Sequence, residues 1–228
     1  SVSANTFSRP ILDLMSTNHS SYSVSLLKNI GNGTFAPPVY YPAGQWNSQP
    51  RRSTAADFDG DGDVDLATGI DANAGDYSLK VFRNIGAGTF IGVDSQDVVV
   101  AYPYMDIPFD ICSGKFDGDA FPDLALSMSN GAGIYTLKNN GDGTFAPAVL
   151  LDSNGGGSLI ATDFSGDGKP DLAATGLPGN AFAIWISNGD GTFAAPIQIP
   201  LCCGHYSQQG CAGDFNGDGK QDIAVDVM

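Results

Sequence analysis

DFDGDGDVDL, residues 57–66, and NIGAGTF, residues 84–90, decide the reading of this chain, because both phrases recur. The first returns as KFDGDAFPDL from Lys115, DFSGDGKPDL from Asp163 and DFNGDGKQDI from Asp214. The second occurs as NIGNGTF ending at Phe35, NNGDGTF ending at Phe145 and SNGDGTF ending at Phe193. They alternate with a period of roughly 50 residues, which is the mark of a tandem array. Between the phrases lie short apolar stretches. In the fourth unit these are SLIATDF (158–164), PDLAATG (170–176), AFAIWIS (181–187) and TFAAPIQI (192–199), divided by Gly, Asp and Asn. Each has strand length, and the Asn-Gly and Asp-Gly pairs supply the positive φ that tight hairpins need.

Four antiparallel strands per period, repeated, predict an all-β fold: a β-propeller of four-stranded antiparallel blades. The chain divides into one repeat domain, 1–228, with units near 1–52, 53–109, 110–157, 158–209 and a partial unit at 210–228. The first unit has an eroded start, with Ile11-Leu12-Asp13-Leu14 standing where Asp63-Val64-Asp65-Leu66 stands later. Four units and a half read either as a piece of a larger propeller or as an unusually small ring. A further expectation is that incomplete end blades pair between chains, since an open edge strand invites addition. Trp185, in the middle of its strand, is expected in the core.

Composition agrees. All 25 acidic residues are Asp, Lys and Arg total 10, the net charge is −15 and Gly numbers 30 in 228 residues. Such a chain is poor in helix formers and rich in turn formers. The acidic balance argues against a nucleic-acid partner, which requires a basic surface. No apolar run reaches the ~18–20 residues of a membrane span, so no membrane insertion is expected. The opening SVSANTFSRP lacks the profile of a signal peptide. Cys112, Cys202, Cys203 and Cys211 leave the pairing open. A disulfide from Cys202 or Cys203 to Cys211 suits an oxidising compartment, and buried thiols are the alternative.

The acidic phrase is a candidate cation loop. Asp57, Asp59, Asp61 and Asp65 occupy positions 1, 3, 5 and 9, and Asp63 offers its carbonyl at position 7. Hard oxygen donors in that number suit Ca²⁺, which takes 6–8 oxygens, better than Mg²⁺, which keeps its waters. An EF-hand is excluded, since Thr68 stands at position 12 instead of Glu and the flanks read as strands. Two further loops have the same donors with one carboxylate fewer: Asp163, Ser165, Asp167, the Lys169 carbonyl and Asp171; then Asp214, Asn216, Asp218, the Lys220 carbonyl and Asp222. The loop 115–123 keeps Asp117, Asp119, the Phe121 carbonyl and Asp123, but has Lys115 at position 1 and Ala120 in place of Gly. Either it binds calcium or the Lys115 ammonium takes the ion's place. The first unit retains only Asp13 and is expected to be empty. Three sites, with the fourth open, are read as staples that favour the folded state by linkage.

These paired phrases resemble the FG-GAP/VCBS repeat family, the calcium-loop propellers typified by the integrin α-subunit head. The resemblance runs over about 7–228 and implies calcium in the hairpin between the first and second strand of each blade. It also implies a secreted or cell-surface binding module, for adhesion or for recognition of an extracellular glycan or protein.

Three function classes follow. For a binding module, the irregular segments 40–52, 98–109 and 201–210 carry the candidate contacts. Trp46 with Tyr40, Tyr41, Arg51 and Arg52 forms one candidate ligand patch; the competing and favoured expectation is that Trp46 fills a gap between blades. For an enzyme the inventory is thin. His19 and His205 are separate, no nucleophile elbow or metal-protease motif occurs, and the paired carboxylates are accounted for by calcium, so no catalytic residue is assigned. A structural or assembly protein, polymerising through its end blades, is the alternative.

Overall fold

Each repeated phrase makes a hairpin, and the apolar stretches between them form strands. The computed structural model of the chain describes residues 13–43, 49–72, 76–92, 96–97, 108–129, 132–155, 157–177, 181–201 and 209–226. Trp46, His205, Cys202, Cys203 and most of the segments 98–109 and 201–210 lie outside them.

The sheets follow one another in chain order. The first contains β1 (Leu14–Asn18), β2 (Ser23–Leu27) and β3 (Val39–Pro42). The second contains β4 (Gln49–Ala56), β5 (Asp65–Ala72), β6 (Asp76–Asn84) and β7 (Phe90–Gly92), with the short β8 (Gln96–Asp97) also on β6. The third is β9 (Pro108–Gly114), β10 (Asp123–Met128), β11 (Gly133–Leu137) and β12 (Val149–Asp152). The fourth is β13 (Leu159–Thr162), β14 (Asp171–Leu177), β15 (Ala181–Trp185) and β16 (Ile197–Pro200). The last pair is β17 (Gly210–Gly213) and β18 (Asp222–Val225). All pairings run antiparallel and, apart from β8 on β6, join sequence neighbours, as in the meander of a propeller blade. Among the described residues no strand joins the last sheet to the first.

The fourth strand starts later than the sequence suggests. Residues 192–196 make the bridge Ser187↔Phe193, an amide bond from Asn188 to the Thr192 carbonyl and one from Ala194 to the Ile186 carbonyl before pairing resumes at Ile197. Pro196 has no N–H to contribute to a ladder. Phe193 turns out of the sheet to pack on Phe116 of the preceding blade, ring centroids 5.3 Å apart.

The core lies between sheets. Middle strands bury both faces, so β10 is buried throughout, which a simple in-out alternation does not anticipate. Phe58, Leu79 and Val81 of the second sheet meet Ile111, Leu124, Leu137 and Phe145 of the third. Phe116, Ala125 and Ile134 of the third meet Leu159, Leu172 and Trp185 of the fourth. Val24 and Leu26 of the first meet Leu66, Ile70, Phe82 and Phe90 of the second. Trp185 is fully buried, as its sequence setting predicts.

One contact recurs. The Phe of an acidic loop packs against the Phe of the next blade's GTF turn: Phe58 edge-on to Phe145 at 5.6 Å, then Phe116 tilted against Phe193. Phe121 adds a wedge, made possible by two glycines. A Cβ on Gly60 or Gly141 would come within 2.8 or 2.9 Å of its ring. The two sequence phrases are therefore the two halves of an inter-blade joint. The inner strands β4, β9, β13 and β17 lie side by side in that order, each against the next.

Candidate metal centre

The acidic loops connect the first and second strand of each blade, and their aspartates divide into two groups by position. The Asp at position 9 is buried in the first three of these loops, as Asp65, Asp123 and Asp171. Asp65 Oδ2 accepts the Phe58 N–H at 3.0 Å and Oδ1 accepts the Asn84 N–H at 2.7 Å. Asp123 repeats this with Phe116 (3.0 Å) and Asn139 (2.8 Å). Asp171 accepts Phe164, Ser165 and Ser187, each at 2.9 Å. One carboxylate thus ties the start of its loop to the start of the NxGxGTF turn on the third strand. Asp13 Oδ1 accepts the Asn29 N–H at 2.8 Å, so the aspartate that the first unit retains makes half of the same tie. Among the described residues Asp222 accepts the Phe215 N–H alone, at 3.1 Å. Burial pushes the carboxyls of Asp65 and Asp123 above the usual range, although the amide bonds pull against it.

Positions 1, 3 and 5 form the second group. In the loop 57–65, oxygens of Asp57, Asp59 and Asp61 lie within 4.8 Å of one another. Each is fixed by amides of its own loop. Asp57 accepts Gly60 (2.8 Å) and Gly62 (3.0 Å), Asp59 accepts Asp61 (3.2 Å), and Asp61 accepts Asp63 (2.9 Å). Three preorganised carboxylates at one point are a donor set of the hard, anionic kind that a divalent cation requires. The structure therefore fits a metal at Asp57, Asp59 and Asp61. In the loop 163–171, Asp163 accepts the amides of Gly168 (2.8 Å), Gly166 (2.6 Å) and Asp167 (3.2 Å), and its carboxyl is held below the usual range chiefly by the first. Asp214 does the same with Gly219, Gly217 and Asp218 and is lowered likewise. Ser165 and Asn216 occupy their third positions, while Lys169 and Lys220 donate their own amides to Asp167 and Asp218.

Cations from a neighbouring strand complete the electrostatics, and sequence reading missed them. Arg83 Nε lies 2.7 Å from Asp59 Oδ2. Lys138 Nζ contacts Asp117 Oδ2 directly and lies 3.8 Å from Asp119. The ammonium that meets the third loop is thus Lys138, while Lys115, the one expected there, stays exposed. A side chain on the third strand points back over its own blade's loop, whereas Lys115 at the loop's first position is directed outward. Burial tends to raise the Asp117 carboxyl, but Lys138 and the Asp119 amide outweigh it and hold it below the usual range. Arg83 also reaches the next blade, donating to the Asp142 carbonyl at 3.0 Å, and Lys28 reaches the Ala87 carbonyl similarly. The signal was available: Lys28, Arg83 and Lys138 each immediately precede an NxGxGTF phrase. In the fourth unit Ile186 takes that place, and Ser165 replaces the aspartate that a cation would face.

The expected aromatic–arginine patch does not assemble among the described residues. Tyr41 packs edge-on against Phe90 at 5.4 Å and donates its hydroxyl to the Gly88 carbonyl. Tyr40 is exposed on the outer strand β3. Arg51 and Arg52, on the inner strand β4, instead line a cavity with Thr17 and His19 of the first blade. Chain direction explains the separation, because β3 and β4 are the outer and inner strands of successive blades. Cys112 and Cys211 carry no disulfide among the described residues, and the Cys202 or Cys203 pairing lies outside them.

A family model described as an FG-GAP-like repeat matches residues 10–68, 115–174 and 163–225. No curated protein matches the chain. Among solved structures, the V. cholerae biofilm matrix protein Bap1 is similar at 16% identity and a TM-score of 0.47, over 97% of this chain and 32% of that one. The Photorhabdus luminescens Tc holotoxin pore is similar at 16% identity and a TM-score of 0.41, over 93% of this chain and 12% of that one. The chain spans under a third of either structure's length.

Proposed function

The chain belongs to the FG-GAP-like repeat family, and on that premise we propose that it is an extracellular, calcium-stabilised binding module without catalytic activity, serving adhesion or the recognition of a glycan or protein. The observation that carries this reading is the convergence of Asp57, Asp59 and Asp61 within 4.8 Å on a loop that joins two strands of one blade. A cation there neutralises carboxylates that otherwise repel each other and pins a hairpin at the rim of the fold. Extracellular calcium is abundant enough to fill such sites, which supports a secreted or cell-surface setting. Of the other loop carboxylates, Asp65, Asp123 and Asp171 are engaged by backbone amides and Asp117 by Lys138, which favours a structural role for them over acid–base work.

In this reading calcium is held at 57–65 by the three carboxylates and the Asp63 carbonyl, and at 163–171 and 214–222 by the two shorter donor sets. The loop 115–123 is closed by Lys138. The test is calcium titration by calorimetry together with thermal melts in chelator. At calcium a hundredfold over Kd, linkage adds about 2.7 kcal/mol. Melting should therefore fall by several degrees in chelator, and Asp59→Asn with Asp61→Asn should remove most of the 57–65 share. Unchanged melting in chelator would sink the calcium claim. Screening against immobilised glycans and extracellular proteins tests the binding claim.

A second reading, self-association through strand edges, is favoured by β18. Among the described residues it pairs only with β17, and Phe215 beside it is 62% exposed. Concentration-dependent mass in solution distinguishes the two.

A further inference from the structure

Where the inner strands begin, at the end of the sheets away from the acidic loops, three sheets meet around a cavity of about 340 Å³. Its wall is assembled from Thr17 and His19 at the β1–β2 turn, Arg51 and Arg52 on β4, and Pro108 and Phe109 on β9. The position is built rather than incidental. The Thr17 hydroxyl donates to the Arg51 carbonyl at 2.8 Å, joining the first blade to the second. Pro108 packs over Gly69, where a Cβ would come within 2.8 Å of it, joining the second blade to the third.

The charge of this cavity is opposite to that of the molecule. A chain of net charge −15 with 10 basic residues and two histidines places Arg51, Arg52 and His19 around one hollow. Asp71 accepts from Arg51 Nη2 at 2.7 Å and offsets one of these charges. The Arg51 side chain is nonetheless 33% exposed, so part of it stays open to the hollow. The acidic loops do not cancel the local field. From Arg51 along β4 to Asp57 is about 20 Å at roughly 3.3 Å per residue, more than twice the ~8 Å Debye length at physiological salt.

We propose that this cavity binds a carboxylated sugar residue of an acidic saccharide, with Arg51 and Arg52 receiving the carboxylate. The volume lies in the range of small-ligand sites, ~300–1,000 Å³, and holds one sugar ring with its substituents. Pro108 and Phe109 give an apolar wall for the C–H face of a pyranose, and the two guanidinium groups match a planar carboxylate. The slim side chain of an acidic peptide has no comparable face to set against that wall. The assignment rests on the binding-module reading above and specifies its ligand.

The test uses the full chain at millimolar calcium, with digalacturonate as the probe and a neutral disaccharide of the same size as reference, followed by calorimetry. Digalacturonate should bind, weaken as salt rises, and lose about tenfold in affinity in Arg52→Gln and again in His19→Gln, both exposed positions. Arg51→Gln should lose as much; because it also breaks the pair with Asp71, its melting temperature is measured alongside. Equal affinity for the neutral disaccharide, or digalacturonate binding unaltered in the Arg52→Gln, His19→Gln double variant, overturns the proposal. So does tighter binding of an aspartate-rich peptide. If digalacturonate does not bind while other glycans or a protein do, this cavity is wrongly assigned and the binding-module reading stands. If nothing binds, both fall.

Discussion

Replacing Asp171 by alanine tests whether the position-9 aspartate is a tie in its own right. Its carboxylate has 0% exposure and accepts three amides, of which the bond from Ser187 is buried and those from Phe164 and Ser165 are half-buried. A hydrogen bond to a charged group contributes about 1.5–3 kcal/mol, but the cost of burying the carboxylate offsets part of that gain. Alanine leaves the Ser187 N–H buried without an acceptor, at about 1–3 kcal/mol. It also opens a void and exposes two amides to water. The expected loss is about 3–5 kcal/mol, against a total stability of ~5–15 kcal/mol. In a chain of this length that lowers the melting temperature on the order of 10 °C.

The assay is urea unfolding in chelator, followed by the fluorescence of Trp185, which is buried and pairs with Leu172 on the neighbouring strand. Asp171→Asn, retaining one acceptor oxygen, should lose less. Asp222→Ala provides an internal contrast: it removes only one exposed bond and should cost under about 1 kcal/mol. If chelated Asp171→Ala unfolds within about 0.5 kcal/mol of the parent, the tie is refuted. A loss seen only with calcium present would make Asp171 a ligand instead.

Three further outcomes are expected. Phe58→Ala and Phe145→Ala should each cost about 3–5 kcal/mol, and a double-mutant cycle should return a coupling of about 0.5–1.5 kcal/mol for the edge-on pair. Independent, additive losses would mean that the joint between blades does not depend on this contact. Lys138→Gln should free Asp117 and Asp119 and raise the calcium stoichiometry by one; an unchanged stoichiometry shows that the ammonium was not standing in for an ion. In metal-free protein, carboxyl-carbon NMR should find Asp65 and Asp123 titrating above 3.8 and Asp163 and Asp214 below it. The signs for stability are opposite. For Asp65 and Asp123 the folded chain holds the proton more tightly, so between 3.8 and their raised values falling pH favours the folded state. For Asp163 and Asp214 stabilisation is complete above 3.8 and is lost as pH falls through their lowered values. The reverse order of titration would contradict the buried-tie and exposed-loop geometry.

The charge pairing places two kinds of loop on one scaffold. Where a basic residue precedes the NxGxGTF phrase, as at Arg83 and Lys138, the third-position aspartate of the same blade has a fixed partner. Where Ile186 stands, that aspartate is Ser165, so an unpartnered carboxylate at that rim is avoided. An internal counterion meets the same electrostatic need that a bound cation would meet.

The sequence alone determined the period, the strands, the hairpins and the acidic loops, because these depend on neighbours: apolar runs of strand length, Asn-Gly and Asp-Gly turns, and alternating carboxylates within one loop. It also placed Trp185 in the core, from its apolar neighbours. Only the tertiary structure decided which aspartates converge within a loop and which accept amides from a neighbouring strand, since Asp65 reaches Asn84 and Asp171 reaches Ser187. The same holds for Lys138 over Asp117, for Phe58 against Phe145 in the next blade, and for Arg51 and Arg52 lining a cavity with His19 apart from the tyrosines. The contacts within a blade depend on strand pairing and side-chain reach, and those between blades on how one sheet is rotated against the next. That rotation is set by side chains filling the space between blades, which spacing along the chain does not encode.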